Sequence, residues 1–204
     1  MPTLLRIDSS PRGDYSISRA LTARFTETWK QKHPDGKVVT RDLMKTDLPF
    51  VDLPWIAGAY SPAEQHTPEM KEALAISNEL IAELKAADHI VIGAPMYNFS
   101  TPAVLKAYID HIVRINETFS SSYQGLVTGK KLTILQAAGS DYGPGSPMES
   151  MNVEIPYLKQ VFGFIGITDV DFVSAGGAGA VERGQADRGE FIAKNELKVE
   201  ALVK

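Results

Sequence analysis

Three consecutive β-branched apolar residues, Ile90-Val91-Ile92, closed by Gly93 and Pro95, constrain this chain more than any other stretch. A run without polar alternation needs apolar cover on both faces, which is the condition of an interior strand in a parallel sheet flanked by helices. The loop that follows is unusual. Met96-Tyr97-Asn98-Phe99 puts two aromatics and a small amide where a turn would ordinarily carry Gly, Asp or Ser, and Thr101-Pro102 then predicts an N-cap and a first-turn proline. Ligands of open α/β sheets bind at the carboxyl ends of strands, so an aromatic loop there is a candidate wall for a flat heterocycle. The alternative is that Met96 and Phe99 simply pack beneath the sheet edge.

The rest of the chain supplies further strands and helices around this one. Leu4-Leu5-Arg6-Ile7 reads as a strand, and Ile17, Leu21, Phe25 and Trp29 recur at four-residue spacing as one helical stripe. Between them lies a polar loop in which Ser10, Ser16 and Ser18 accompany Arg12 and Gly13 and empty onto a helix N-terminus. Unpaired N–H groups and the positive end of the helix dipole favour an anion there, and phosphate is the natural occupant; ordinary capping explains the same serines. Lys37–Asp42 reads as a strand near an edge. The proline-rich passage from Leu48 to Pro68 reads as irregular loop, whose Phe50, Trp55 and Tyr60 would either close a pocket or oligomer contact or form a satellite hydrophobic cluster.

Met70, Ala73, Leu74, Ser77, Leu80, Ile81 and Leu84 form a core-facing helical stripe, and Val104, Leu105, Tyr108, Ile109 and Ile112 form another. His111, on the polar side of the second, reads as a surface or interface histidine rather than a base. Lys131–Gln136 is a fourth strand, followed by the glycine-containing loop Ala137–Pro147; Val170–Val173 is a fifth, with a helix through Tyr157–Phe162 before it and a last helix from about Glu190 to Val203. The cluster Gly176-Gly177-Ala178-Gly179 reads as a turn between strand and helix.

Five strands alternating with helices predict a single α/β domain over residues 1–204, a doubly wound parallel sheet of flavodoxin-like order 2-1-3-4-5 with helices on both faces. In that order the loops after strands one, three and four surround the switch point. A phosphate cradle after the first and an aromatic loop after the third suit the two ends of FMN. Other classes are disfavoured. No G-x-G-x-x-G follows the first strand, and Gly125-Leu-Val-Thr-Gly129-Lys130 has the wrong spacing for a phosphate-binding Walker loop. The absence of cysteine excludes thiol catalysis, disulfides and thiolate metal sites, and no metal cluster is expected. A net charge of −4 without a basic run gives no footprint for nucleic acid or an anionic membrane. The N-terminus lacks the apolar core of a signal peptide, and the chain reads as cytoplasmic.

Four stretches carry a resemblance: Ser10 with Tyr15-Ser16-Ile17-Ser18, Ala94-Pro95-Met96-Tyr97-Asn98-Phe99, Gly125-Leu126-Val127-Thr128-Gly129-Lys130-Lys131, and Gly163-Phe164-Ile165-Gly166-Ile167-Thr168-Asp169. Over nearly its full length the chain resembles the flavodoxin-like family of FMN-dependent NADH-azoreductases and NADH:quinone oxidoreductases. The resemblance implies that Ser10, Ser16, Ile17 and Ser18 hold the FMN phosphate and that Pro95, Met96, Tyr97, Asn98 and Phe99 line the isoalloxazine. It also implies a homodimer with two active sites at the subunit interface. Where many members of the family carry Ser-Arg-Gly-Gly after the fourth strand, this chain has Ala137-Ala138-Gly139-Ser140. That loop keeps backbone donors for the flavin but lacks the arginine's charge, which bears on potential, nicotinamide preference and substrate range.

The activity so implied is two-electron, ping-pong reduction of quinones and azo compounds by NADH or NADPH, with the cofactor carrying the chemistry. Backbone N–H groups of Ala137, Gly139 and Ser140 are candidates to stabilise charge developing on the reduced ring. Tyr97 and Tyr142 are candidate proton donors, a role solvent can also fill. Phe119 and Phe162 are candidate walls of the substrate pocket or packing at the dimer contact. A flavodoxin-like one-electron carrier and a non-catalytic flavin-binding module are the competing readings.

Overall fold

The computed structural model describes residues 1–203. Strand β1 (Thr3–Asp8) leads to helix α1 (Ile17–Lys32), then β2 (Lys37–Asp42), α2 (Leu53–Tyr60) and α3 (Pro68–Ala86). The chain continues through β3 (His89–Pro95), α4 (Ala103–Ile112), β4 (Lys131–Ala137), α5 (Glu154–Phe164), β5 (Asp169–Ala175), α6 (Ala178–Glu182) and α7 (Arg188–Leu202). All strand pairs are parallel, in the order β2-β1-β3-β4-β5. The expected sheet is therefore the observed one.

Strand periodicity divides the interior into two cores. Leu5, Ile7, Ile90, Ile92, Leu132 and Ile134 point to one face, where α3, α4 and α5 cover them through Leu80, Leu84, Leu105, Tyr108, Leu158 and Phe162. Leu4, Val91, Leu135 and Val173 point to the other, covered by α1 and α7 through Leu21, Phe25, Trp29, Ile192 and Val199. The register Leu5↔Ile90↔Leu132 brings the apolar positions of three strands into line. Every residue of β3 is buried, as its unbroken apolar run requires. No helix among the described residues is long and apolar enough to cross a membrane.

Three local expectations fail. The proline-rich passage contains α2, because Asp52 caps it through Trp55 N at 2.9 Å and Pro54 sits in its first turn. Trp55 is buried there, whereas Phe50 and Tyr60 stay exposed. Thr101 is not an N-cap: α4 starts at Ala103 behind Pro102, with no side-chain cap. His111 is no surface group either. It is buried, its Nε2 lies 2.8 Å from the Pro49 carbonyl and its ring meets Trp55 edge-on, so it fastens the α2 approach to α4. The glycine cluster, by contrast, is the expected turn between strand and helix: Gly176 and Gly177 link β5 to the short helix α6.

Candidate active site

The carboxyl ends of β1, β3 and β4 converge on one cleft lined by Ser10, Arg12, Ser16, Ile17, Ser18, Pro95, Met96, Tyr97, Ala137, Ala138 and Gly139, closed on one side by Ala178 and Glu182 of α6. Larger grooves exist, such as one of about 470 Å³ along β5 and α7. Size does not select the site. The convergence of free donors at the sheet's switch point does.

At one end of the cleft, Ser16 caps α1 by accepting Arg19 N at 3.2 Å and shares a 3.2 Å hydrogen bond with the Ser18 hydroxyl. Ser10 Oγ accepts Arg12 N at 3.3 Å. The three hydroxyls thus engage at most one of their own protons, and Ile17 and Ser18, first in the helix, leave their N–H groups without an intrahelical partner. A set rich in spare donors at a helix N-terminus matches an anion with several acceptor oxygens. A phosphate monoester fits it.

The cradle is fixed from behind. Arg19 grips Asp42 through two bonds of 2.6 and 2.9 Å and sends its Nε to the Ser10 carbonyl at 2.9 Å. That bidentate hydrogen bond holds the Asp42 carboxyl below the usual range. Asp8, buried beneath, accepts Arg6 Nε at 2.9 Å and Thr22 Oγ1 at 2.6 Å. Gly93 permits α1 to lie this close to β3, since a Cβ there would stand 3.0 Å from Thr22 Cγ2 and 3.3 Å from the Ser18 carbonyl. Ser9 Oγ donates to the Gly93 carbonyl at 2.7 Å and locks the two strand ends together.

At the other end the aromatic loop doubles back on itself. Tyr97 N donates to Ser100 O at 2.9 Å and Ser100 N to Tyr97 O at 3.1 Å, with Asn98 and Phe99 at φ of 50° and 69° between them. Two central residues of positive φ are the signature of a type I′ turn; asparagine accepts that geometry, and phenylalanine pays strain of about 1–2 kcal/mol for it. Strain of this kind clusters at functional sites. The loop is tied to β4 by Met96 N on the Ala137 carbonyl at 2.8 Å. Among the described residues the N–H groups of Asn98, Phe99, Gly139 and Ser140 have no partner; Gly139 lines the cleft, and the pair Asn98-Phe99 and Ser140 directly follow lining residues in the chain. Donors for the polar edge of a flat ring are therefore present on both rims.

Arg12 and Glu182 form an ion pair across the mouth, both half-exposed. The enclosed part of the cleft is about 60 Å³, so a ligand that reaches the serines must part this clasp. No cluster of potential metal ligands occurs among the described residues.

Of the residues read from the sequence, Ser10, Ser16, Ile17, Ser18, Pro95, Met96, Tyr97, Ala137 and Gly139 line the cleft, and Asn98, Phe99 and Ser140 flank it. Tyr142 lies outside it, its ring edge-on to Phe99 at 6.1 Å. Phe162 is not among the residues that line the cleft. It shares the inward side of α5 with Ile155 and Leu158 and is fully buried in the core. Phe119 is also nearly buried, against Phe164 at 4.9 Å and Tyr123 at 6.4 Å. Phe164, two residues on from Phe162, is the α5 aromatic that reaches the surface.

Sequence reasoning missed Ala178 and Glu182. Their signal was the small-residue run after the fifth strand: Ala178 N and Gly179 N donate to the carbonyls of Ala138 and Gly139 at 2.9 Å each, which draws α6 against the β4 loop.

A family model described as flavodoxin-like fold matches residues 2–199. An FMN-dependent NADH:quinone oxidoreductase of Burkholderia lata is 50% identical over 192 residues, 94% of this chain and 91% of the relative. One from a Jannaschia species is 49% identical over 201 residues, 98% of each chain. Among solved structures, an azoreductase from Bacillus anthracis superposes with a TM-score of 0.86 at 27% identity, over 100% of this chain and 99% of the other. An FMN-dependent NADH-azoreductase of the same species, in complex with FMN, superposes with a TM-score of 0.85 at 25% identity, over 98% and 97%.

Proposed function

The chain belongs to the flavodoxin-like family that includes the FMN-dependent NADH:quinone oxidoreductases, and from that premise we propose that it binds FMN in the β1–β3–β4 cleft and uses NADH to reduce quinones and azo compounds. The observation that carries this reading is the pairing, on opposite ends of one cleft, of a donor-rich phosphate cradle with an aromatic loop whose backbone donors are free. When bound, FMN would supply the redox chemistry, a two-electron exchange between nicotinamide and acceptor.

The chain's own part is to bind, orient and exclude. Ser10, Ser16 and Ser18, with the N–H groups of Ile17 and Ser18, hold the phosphate, and Pro95, Met96, Tyr97, Asn98 and Phe99 line the ring. Gly139 N and Ser140 N face the rim where negative charge is to be held, and as fixed dipoles they cost no reorganisation. Tyr97, partly exposed in the cleft wall, and Tyr142, beside Phe99, present hydroxyls that can hand a proton to an acceptor oxygen or nitrogen. Neither is required where water reaches the same atom.

A homodimer with sites at the interface belongs to the same proposal. It is supported by an open groove of about 330 Å³ between α4 and α5, lined by Ile109, Val113, Tyr157, Val161 and Phe164. A second copy covering it would bury the exposed Phe164 and carry Phe119 toward the neighbouring site. Sedimentation equilibrium of the full chain tests this, with a monomer at micromolar concentration refuting it.

For the activity, FMN-loaded protein is mixed anaerobically with NADH and then with NADPH, flavin bleaching is followed by stopped-flow absorbance, and benzoquinone is added. Bleaching without a long-lived one-electron species, followed by recovery on quinone, is expected, and the faster nucleotide is the donor. Bound FMN inert to both nucleotides overturns the reading.

A further inference from the structure

Gln136, next to last in β4, turns into a buried polar cluster that the chemistry above does not use. Its amide nitrogen donates to Asn152 Oδ1 at 3.1 Å and to Glu154 Oε2 at 2.9 Å, and its oxygen accepts Asn152 Nδ2 at 3.2 Å and Ser174 Oγ at 2.8 Å. Asn152 Nδ2 also donates to the Tyr142 carbonyl at 3.1 Å, and its Oδ1 receives Ile155 N at 3.2 Å. The Tyr142 ring in turn meets Phe99 edge-on. An unbroken chain of contacts leads from a carboxyl in the first turn of α5 to the aromatic loop at the rim of the cleft.

That carboxyl is in an unusual position. Glu154 and Gln136 have no exposed surface, and Glu154 Oε1 has no hydrogen-bond partner. An amide nitrogen carries two protons. Both of Gln136 and both of Asn152 are already committed, so neither amide has a proton left for Oε1. An ionised carboxylate here would keep an unpartnered oxygen buried away from solvent, and the neutral acid avoids most of that cost.

Burial pushes the Glu154 carboxyl up to about 8, opposed only by the hydrogen bond from Gln136 and without a contribution from any charged group. The groups facing it are neutral: Gln136 from β4, Asn152 and through it the Tyr142 carbonyl from the loop, and Ser174 from β5 through Gln136. The acids of the loop are engaged elsewhere, Asp141 Oδ1 accepting Gly143 N at 2.9 Å and Glu149 Oε2 accepting Gly145 N at 2.7 Å.

We propose that Glu154 is a positioning residue that, as a neutral acid, holds Gln136 and Asn152 so as to fix Tyr142 and the loop from residue 138 to 151 against the aromatic rim, and that its ionisation frees the loop. Loss of the carboxyl proton leaves the amides with one acceptor too many, admits water, and releases the Asn152 to Tyr142 bond. The acceptor side of the cleft then loses a wall. This consequence for turnover rests on the proposed function; the movement of the loop does not.

Hydrogen–deuterium exchange of the full chain, measured by mass spectrometry with and without FMN and corrected for intrinsic rates, tests it. The ionised fraction of a group titrating near 8 rises about ten-fold between pH 7 and 9, and opening of residues 138–151 should rise with it while β3 stays protected. Glu154→Gln, locked neutral, should show no such rise, and the KM for benzoquinone should climb with pH in the wild type but not in the variant. Asn152→Ala should leave the loop open at both pH values. Equal loop protection at pH 7 and 9 in the wild type overturns the proposal even if no variant folds, and so does a rise that persists in Glu154→Gln. A null result in the KM with the loop transition present would count against the flavin-site assignment instead.

Discussion

Ser16 and Ser18 lie two residues apart in one cradle, yet only one of them also caps a helix, and that difference separates fold from function. Ser16→Ala removes the bond to Arg19 N, a cap worth about 1 kcal/mol, so the ligand-free chain should melt about 2–4 °C lower, the shift typical of chains of 150–250 residues. It also removes a hydroxyl donor to a doubly charged phosphate, a bond worth about 1.5–3 kcal/mol, which weakens FMN by roughly 10- to 150-fold. Ser18→Ala removes a donor of the same kind, but its hydroxyl meets only the Ser16 hydroxyl. It should lower affinity to a similar extent and leave the ligand-free melting temperature within about 2 °C, since no cap is lost. Quenching of flavin fluorescence measures the affinity, and riboflavin, which lacks the phosphate, is the control. Both variants should bind riboflavin as the wild type does. If riboflavin weakens as much as FMN, the serines do not hold the phosphate and the orientation of the ligand in the cleft is wrong.

Phe99→Gly should leave the ligand-free stability unchanged or slightly raised, because the φ of 69° costs glycine nothing, while the lost contact with Tyr142 raises the KM for quinones; a melting temperature more than 4 °C lower would refute the strain argument. Glu182→Gln opens the Arg12 clasp and should speed FMN association several-fold in stopped-flow quenching, an effect that added salt reduces. His89, buried with Nε2 at 2.9 Å from Thr133 Oγ1, is pushed down to about 4, mainly by burial. Its folded form therefore binds fewer protons than the unfolded chain between pH 4 and about 6.5, and its contribution, full above 6.5, is lost as pH falls through 4, by up to about 3 kcal/mol. Glu154, raised, acts with the opposite sign: its contribution is full below about 4.3 and is lost as pH rises through 8. Urea unfolding of His89→Gln against the wild type isolates the first; the variant's stability should fall less steeply from pH 6.5 to 4.5.

The parts of this fold that could be read from the sequence are those where a single physical requirement acts locally. Ile90-Val91-Ile92 needed two covered faces, and Ile17, Leu21, Phe25 and Trp29 needed one, and each found it. The cradle was legible for the same reason, since the serine that caps α1 is also the one that faces the cleft. Where two elements share a requirement the reading failed. His111 looked polar because it follows Asp110 on the less apolar side of α4; it is buried, with Nε2 at the carbonyl of Pro49, 62 residues away. Phe162 and Phe164 are both aromatic and two residues apart, and only the helical phase of α5 decides that the first enters the core and the second the surface.

Glu154 shows the limit most sharply. In the sequence it is one acidic residue in a helix start, where an acid is favoured by the dipole and needs no further reason. Its burial follows from Gln136, 18 residues earlier, which must satisfy an amide inside the sheet, and from Asn152, which must satisfy the loop. None of the three has a signature alone. A polar network of this kind is specified only by closure, each member filling the valence another leaves open, and one oxygen without a partner is enough to make the whole responsive to a proton.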